Sequence, residues 1–266
     1  MAEYRRLMKF LKKVETSKML KLPEYGARAT PVNASVSMIY RLFIRNQNMR
    51  PKEDILSDPQ LYHDDAKKPL TLSSSQLNDH FMKQHNFDPQ NVEVQLLYIK
   101  RSNSYEDRFA GHVAFPGGKQ EIGESLLDAA IRETYEEVGI DLLDKNKFAF
   151  VKQYPLTIPF FFMPNNRRMY ISPFVFVQLT FEDVDITLQE REVGSSVWTS
   201  VEFLANNDPR FFWFRPQRHA RYKTNFTLLM PTLCMINGAK YSNEEAYREP
   251  TLVDKKFPLG GMTCFI

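Results

Sequence analysis

From Phe115 to Ile140 the chain reads FPGGKQEIGESLLDAAIRETYEEVGI, a Pro-Gly-Gly turn followed by an apolar periodicity that stops at another glycine. Placing successive residues about 100° apart from Glu124 onward puts Leu127, Ala130, Ile131, Thr134 and Val138 on one face. That spacing predicts a helix buried on this face, ended by Gly139 in the left-handed conformation before Ile140 returns to the core. Glu133 and Glu137 stack on the flank with Glu136 beside them, so three acids oppose one another and the helix dipole. A divalent cation reverses that cost, whereas a solvated acidic face is the plain alternative. The Pro116-Gly117-Gly118 turn favours the cation, because it lets backbone carbonyls approach closely and complete an oxygen cage of the kind Mg²⁺ or Mn²⁺ prefers. Arg132 is placed to brace a carboxylate with a two-pronged hydrogen bond.

Strand candidates surround this helix. ASVSMIYRLFI from Ala34, VEVQLLYIKR from Val92, the short HVAF, FAFVKQYPLTI, ISPFVFVQLTF and NFTLLMPTLCMI are rich in β-branched and aromatic residues. Strands around a central helix indicate an α/β domain with a mixed sheet. The expected organisation is a basic amphipathic segment over residues 1–25 and one main domain over 26–266. A polar insertion at about 46–91 carries a short helix near Gln76 to Gln84.

Charge is unevenly spread. Residues 1–22 carry seven Lys or Arg against Glu3 and Glu15, and the rest of the chain is therefore near −2 against an overall +3. A slightly acidic body argues against a broad nucleic-acid interface. In EYRRLMKFLKKV, Tyr4, Leu7, Met8, Leu11 and Val14 recur at helical spacing between basic residues, giving three readings: packing on the protein's own body, an organelle-targeting presequence, or a membrane-surface helix. Glu3 and Glu15 count against a presequence. The absence of any spanning apolar run, and only two cysteines, Cys234 and Cys264, predict an intracellular protein, cytoplasmic or mitochondrial; the last residues, Cys-Phe-Ile, give less support to a peroxisome.

Gly118, Glu124, Arg132-Glu133, Glu136-Glu137 and Gly139, followed by Ile140, stand at the spacing of the Nudix box, so the chain resembles the Nudix hydrolases, with all seven fixed positions from Gly118 to Gly139 matched. The soft departure is Thr134, where an aliphatic residue is usual. The resemblance implies an α/β/α sandwich and Mg²⁺- or Mn²⁺-dependent hydrolysis of a nucleoside diphosphate linked to a further moiety. It implies Glu133 and Glu137 as metal ligands, Glu136 as ligand or water-positioning group, Gly118 as a carbonyl donor, and Arg132 and Glu124 as braces of the catalytic helix. The proton-accepting carboxylate is either Glu192, which precedes a strand containing Trp198, or a glutamate of the box.

LLYIKRSNSYEDRFAGHVAFPGG is similar to the signature of the coenzyme A diphosphatase branch, on Arg101, Ser102, Arg108, Gly111 and Phe115 to Gly118. Arg108 is displaced in the spacer, with Asp107 where an arginine often stands. Farther on, ISPFVFV resembles the Pro-Phe-Val strand of that branch and LGGMT its Trp-Gly-Met-Thr motif, with Gly260 in place of the tryptophan. This likeness implies coenzyme A or an acyl derivative as substrate, with Arg101, Ser102, Arg108 and Phe115 contacting it. The alternatives are another nucleotide substrate (an ADP-sugar, a dinucleoside polyphosphate or a capped RNA) and a non-catalytic binding module of the same fold.

Two cationic stretches lie outside these motifs. RFFWFRPQRHARYK from Arg210 reads either as a phosphate- and purine-binding clamp or as a hairpin with an exposed cationic face, and Arg167-Arg168 as loop cations that an anionic substrate could meet. His112 reads as a structural histidine.

Overall fold

The computed structural model describes residues 2–19, 32–46, 67–102, 113–160 and 169–202. Arg108, His112, Arg167-Arg168, the aromatic-cationic stretch from Arg210, the strand candidate from Asn225 and the LGGMT motif lie outside them.

The chain divides into two compact units, with β2 (Val92–Arg101) passing from the first to the second after Leu96. In the first unit, β1 (Val32–Ile44) is buried along almost its whole length and pairs on both sides. It runs antiparallel to β2, with Tyr40 opposite Leu96, and parallel to β7 (Met169–Gln178), with Ser37 opposite Phe174. Antiparallel partners extend this sheet: β4 (Gly117–Lys119) lies on β1, and β5 (Phe148–Gln153) and β6 (Ile158–Phe160) lie on β7. One sheet thus mixes parallel and antiparallel pairs, as expected for the α/β class. The single candidate strand FAFVKQYPLTI is divided here into β5 and β6; Pro155, which has no N–H for a ladder, falls in the break.

Alternation along β1 sends successive side chains to opposite faces. On one face Ser37 meets α3 (Leu126–Val138), its Oγ lying 3.2 Å from the carbonyl of Ala130. On the other, Tyr40 packs its ring 5.5 Å from that of Phe10 in α1 (Ala2–Thr16). A helix on each face of the sheet gives the expected layers.

The apolar stripe of α1 is buried. Tyr4, Leu7, Leu11 and Val14 are at most 4% exposed, and each aliphatic side chain removed from water in this way contributes about 1.5–3 kcal/mol before entropy is counted. Tyr4 also meets α2 (Ser74–Lys83): its hydroxyl donates to Asn78 Oδ1 at 3.1 Å and its ring stands edge-on to Phe81. Both α1 acids act as staples. Glu3 accepts from the Val94 N–H and pairs with Arg45; Glu15 accepts from the N–H and hydroxyl of Ser74, which hold its carboxyl below the usual range. Of the three readings of this segment, the structure displays the packed helix. Within the polar insertion, α2 occupies the place expected for a short helix and starts with a capping box at Ser73 and Gln76.

In the second unit, the end of β2 pairs with β3 (Val113–Ala114), Ile99 opposite Ala114, and also with β8 (Val193–Ser200). Among the described residues no helix is long and apolar enough to cross a membrane.

Candidate active site

The local sequence fixes the site helix at both ends. Ser125 caps α3, accepting from the Asp128 N–H at 3.1 Å while Asp128 Oδ2 accepts from the Ser125 N–H at 3.2 Å. At the other end Gly139 adopts φ 72° and donates its N–H to Tyr135 at 2.9 Å. The buried face comprises Ala129, Ala130, Ile131, Thr134, Glu137 and Val138. Two positions differ from the wheel expected from sequence: Leu127 is only half-buried, and Glu137, placed on the flank, is 2% exposed.

Glu137 is buried because the Gly-Gly strand covers it. Gly117 donates its N–H to Glu137 Oε2 at 2.8 Å, so the carboxylate replaces lost hydration with a charge-assisted hydrogen bond. Gly117 itself has φ 149°, and a Cβ there would stand 2.2 Å from the carbonyl oxygen of Ser35 and 2.6 Å from Val36 Cα. Only glycine fits against β1 at this point. At Gly118 a Cβ would instead meet the Glu133 carboxylate, 2.3 Å from both Cδ and Oε1. Two helix carboxylates therefore face adjacent residues of one glycine strand.

Arg132 orders the remaining acids. Its Nε and Nη2 donate to the two oxygens of Glu124 at 3.1 and 2.9 Å, and Nη2 also donates to the carbonyl of Lys119 at 3.1 Å. Its Nη1 lies 2.9 Å from Glu136 Oε2 and 3.1 Å from Glu133 Oε1. One planar guanidinium thus holds three carboxylates and the end of β4. The hydrogen bonds from Arg132 keep the Glu124 carboxyl below the usual range, and the Arg132 guanidinium is correspondingly raised, first by its bond to Glu124.

Thr134 is fully buried with its Oγ1 2.8 Å from Ser37 Oγ and 2.7 Å from the Ala130 carbonyl. A hydroxyl at this position is matched by a second hydroxyl from β1, so the departure from an aliphatic residue is accommodated by packing.

Among the described residues, no three His, Cys, Asp or Glu side chains form a ready cation cluster. Glu137 is engaged by Gly117, while Arg132 pairs with both Glu133 and Glu136 and screens their repulsion. The donor chemistry nonetheless fits a hard divalent ion, since carboxylate oxygens and glycine backbone are the ligands such ions prefer. Glu133, Glu136, Glu137 and Gly118 are the residues that would hold one.

The second unit contains the other candidates. Arg101 ends β2, Ser102 follows it, and Glu192 immediately precedes β8. The Ser102 N–H donates to the Glu192 carbonyl at 2.8 Å and its hydroxyl lies 2.5 Å from the Arg191 carbonyl, so Ser102 and Glu192 are brought together. The Glu192 N–H is in turn held by Gln189 Oε1 at 3.0 Å. Phe115 is buried and stacks on Tyr98, with ring centroids 4.8 Å apart. A side chain so enclosed serves packing in this arrangement. Sequence reasoning missed Ser125, whose Ser-x-x-Asp spacing is the signal that finds it, and Lys119 and Ser37, which local sequence does not mark.

The family model described as NUDIX domain matches residues 87–220. An uncharacterized protein of Schizosaccharomyces pombe is 36% identical over 116 residues, covering 39% of this chain and 31% of its own length. The match thus spans about a third of that curated relative. Similar solved structures include an Ap4A hydrolase binary complex from C. elegans, at 18% identity, covering 64% of this chain and 81% of that one, with a TM-score of 0.36. The MutT protein from Methanosarcina mazei Go1 is 16% identical, covers 68% and 86% of the two chains and has a TM-score of 0.38.

Proposed function

The chain belongs to the NUDIX domain family, and on that premise we propose that its diphosphohydrolase chemistry, directed at nucleoside diphosphate derivatives, takes coenzyme A or acyl-coenzyme A as substrate. The products are 3′,5′-ADP and 4′-phosphopantetheine, acylated where the substrate is. The hydrolytic reading rests chiefly on the pairing of Glu133 and Glu137 with Gly118 and Gly117, which directs two carboxylates at one short backbone strand. The coenzyme A reading rests on Arg101 and Ser102 at the end of β2 together with the Phe-Pro-Gly-Gly sequence.

Members of this family generally use divalent metals such as Mg²⁺, and such an ion, when bound, neutralises pyrophosphate charge and acidifies a coordinated water. Glu133, Glu137 and Glu136 would hold it with the Gly118 carbonyl. Arg132 keeps these ligands oriented in its absence. We assign proton removal from the attacking water to Glu192, on its place in the sequence before the strand that contains Trp198, with a glutamate of the box as the alternative. Water adds to one phosphorus, the bridging P–O bond breaks, and the departing phosphate leaves with its electron pair.

Product-resolved hydrolysis with Mg²⁺ across coenzyme A, dephospho-coenzyme A, ADP-ribose and a dinucleoside polyphosphate tests the substrate. Preference for coenzyme A over its dephospho form supports a reader of the 3′-phosphate; turnover confined to another compound rejects the substrate assignment while keeping the hydrolase. Glu192→Gln is expected to lower kcat by about 100-fold or more with little change in KM, and an unaltered rate moves the base to α3.

A further inference from the structure

The exposed face of α1 is unexplained by the hydrolytic site. Arg5, Arg6, Lys9, Lys12 and Lys13 are all exposed, and helical geometry places them within an arc of about 120°. That arc is diametrically opposite the buried Tyr4, Leu7, Leu11 and Val14. Both acids of the helix are held by partners elsewhere in the fold, although Glu15 also feels the charge of Lys12. Glu3 is turned inward to Val94 and Arg45, and Glu15 to Ser74, so α1, with five cations against two acids, presents its cations outward while its acids are held by the fold. None of the five cations forms a salt bridge among the described residues.

We infer that this stripe docks the protein on the surface of an anionic lipid bilayer. The remainder of the chain is near −2, so the attraction is local to α1 rather than a consequence of general basicity. The cations run straight along one helix for about 12 Å from Arg5 to Lys13, a form suited to a plane of lipid headgroups. Nucleic acid is the poorer fit, because among the described residues Phe10, the aromatic ring of α1 beside the stripe, packs against Tyr40 and Tyr154 rather than standing free to stack on bases. The contact is electrostatic and reversible rather than insertional, since the apolar face of α1 is already occupied by the fold. This inference is independent of the substrate proposed above.

The test is cosedimentation of the full chain with vesicles rich in phosphatidylserine and with vesicles of phosphatidylcholine alone, at low and high salt. Binding is expected to the anionic vesicles only and to fall steeply with salt. The Arg5→Gln/Lys9→Gln/Lys12→Gln variant should partition on the order of 100-fold more weakly while retaining its circular dichroism, melting temperature and hydrolytic rate. A second variant, Lys67→Gln/Lys68→Gln, changes cations elsewhere and should bind as the parent does. Absence of binding to anionic vesicles, equal binding to neutral ones, or binding undiminished in the α1 variant overturns the inference. Tighter binding to a single-stranded RNA oligomer than to the anionic vesicles, lost in the same variant, overturns it in favour of nucleic acid.

Discussion

Gly117 gives its backbone N–H to Glu137 Oε2 at 2.8 Å, tying the glycine strand to the last turn of the acidic helix. The bond gives the nearly fully buried Glu137 side chain a polar partner in place of water. Glu137→Gln retains the shape but removes the charge a cation requires. We expect hydrolysis to fall on the order of 100- to 1000-fold with the melting temperature nearly unchanged. Full activity of this variant with Mg²⁺ would falsify the assigned site.

The two adjacent glycines are predicted to fail differently when replaced by alanine. At Gly117 the new Cβ strikes backbone, the carbonyl of Ser35 and Val36 Cα, from a conformation with φ 149°. Gly117→Ala should destabilise the fold by about 3 kcal/mol or more, seen in urea denaturation. At Gly118 it strikes the flexible end of Glu133, which can move aside. Gly118→Ala should therefore fold with a loss of about 1 kcal/mol or less and still lose turnover, because Glu133 is displaced. Equal stability losses in the two variants contradict the geometry.

Arg132 joins Glu124, Glu133, Glu136 and Lys119, and a lysine cannot reproduce that fork. Arg132→Lys is expected to cost about 1–3 kcal/mol and to lower kcat through misplaced acids. The pH dependence has a definite sign. Glu124 has a lowered carboxyl pKa in the folded state, so its stabilisation is present above about pH 4.5, the unfolded value, and disappears as acid drives the pH down through the folded value. Urea midpoints should thus converge for the parent and Glu124→Gln as the pH falls below that range; a gap that stays constant from neutral to acid conditions rules out the charged brace.

Local chemistry explains what was legible in the sequence. The 3.6-residue periodicity, Gly139 and the acid spacing mark α3, and Val92 to Arg101 reads as a strand with the bounds observed. What sequence left obscure depends on register between distant segments. Glu137 is buried because β4 pairs with β1, with Val36 opposite Gly117, and no helical wheel contains that strand. Leu127 is half-buried because the covered stripe is shifted towards Ala129. The inward turn of Glu3 and Glu15 likewise comes from Val94 and Ser74, far along the chain, which converts an apparent presequence-like helix into part of the fold.

Such long-range matching is sharpest at Thr134 and Ser37, two hydroxyls 2.8 Å apart in a buried layer. Thr134→Val leaves Ser37 Oγ with the Ala130 carbonyl at 3.2 Å, and should cost about 1 kcal/mol. Ser37→Ala leaves Thr134 its shorter contact to that carbonyl, at 2.7 Å, so it should cost less. Removing both hydroxyls together takes away donor and acceptor at once and approaches the aliphatic packing usual at this position of the box. The double variant is therefore predicted to be no less stable than Thr134→Val alone, with a coupling of about 0.5–1.5 kcal/mol in a double-mutant cycle. Strict additivity of the two losses in urea denaturation would show that the hydroxyls do not depend on each other, and that Thr134 is tolerated for its volume alone.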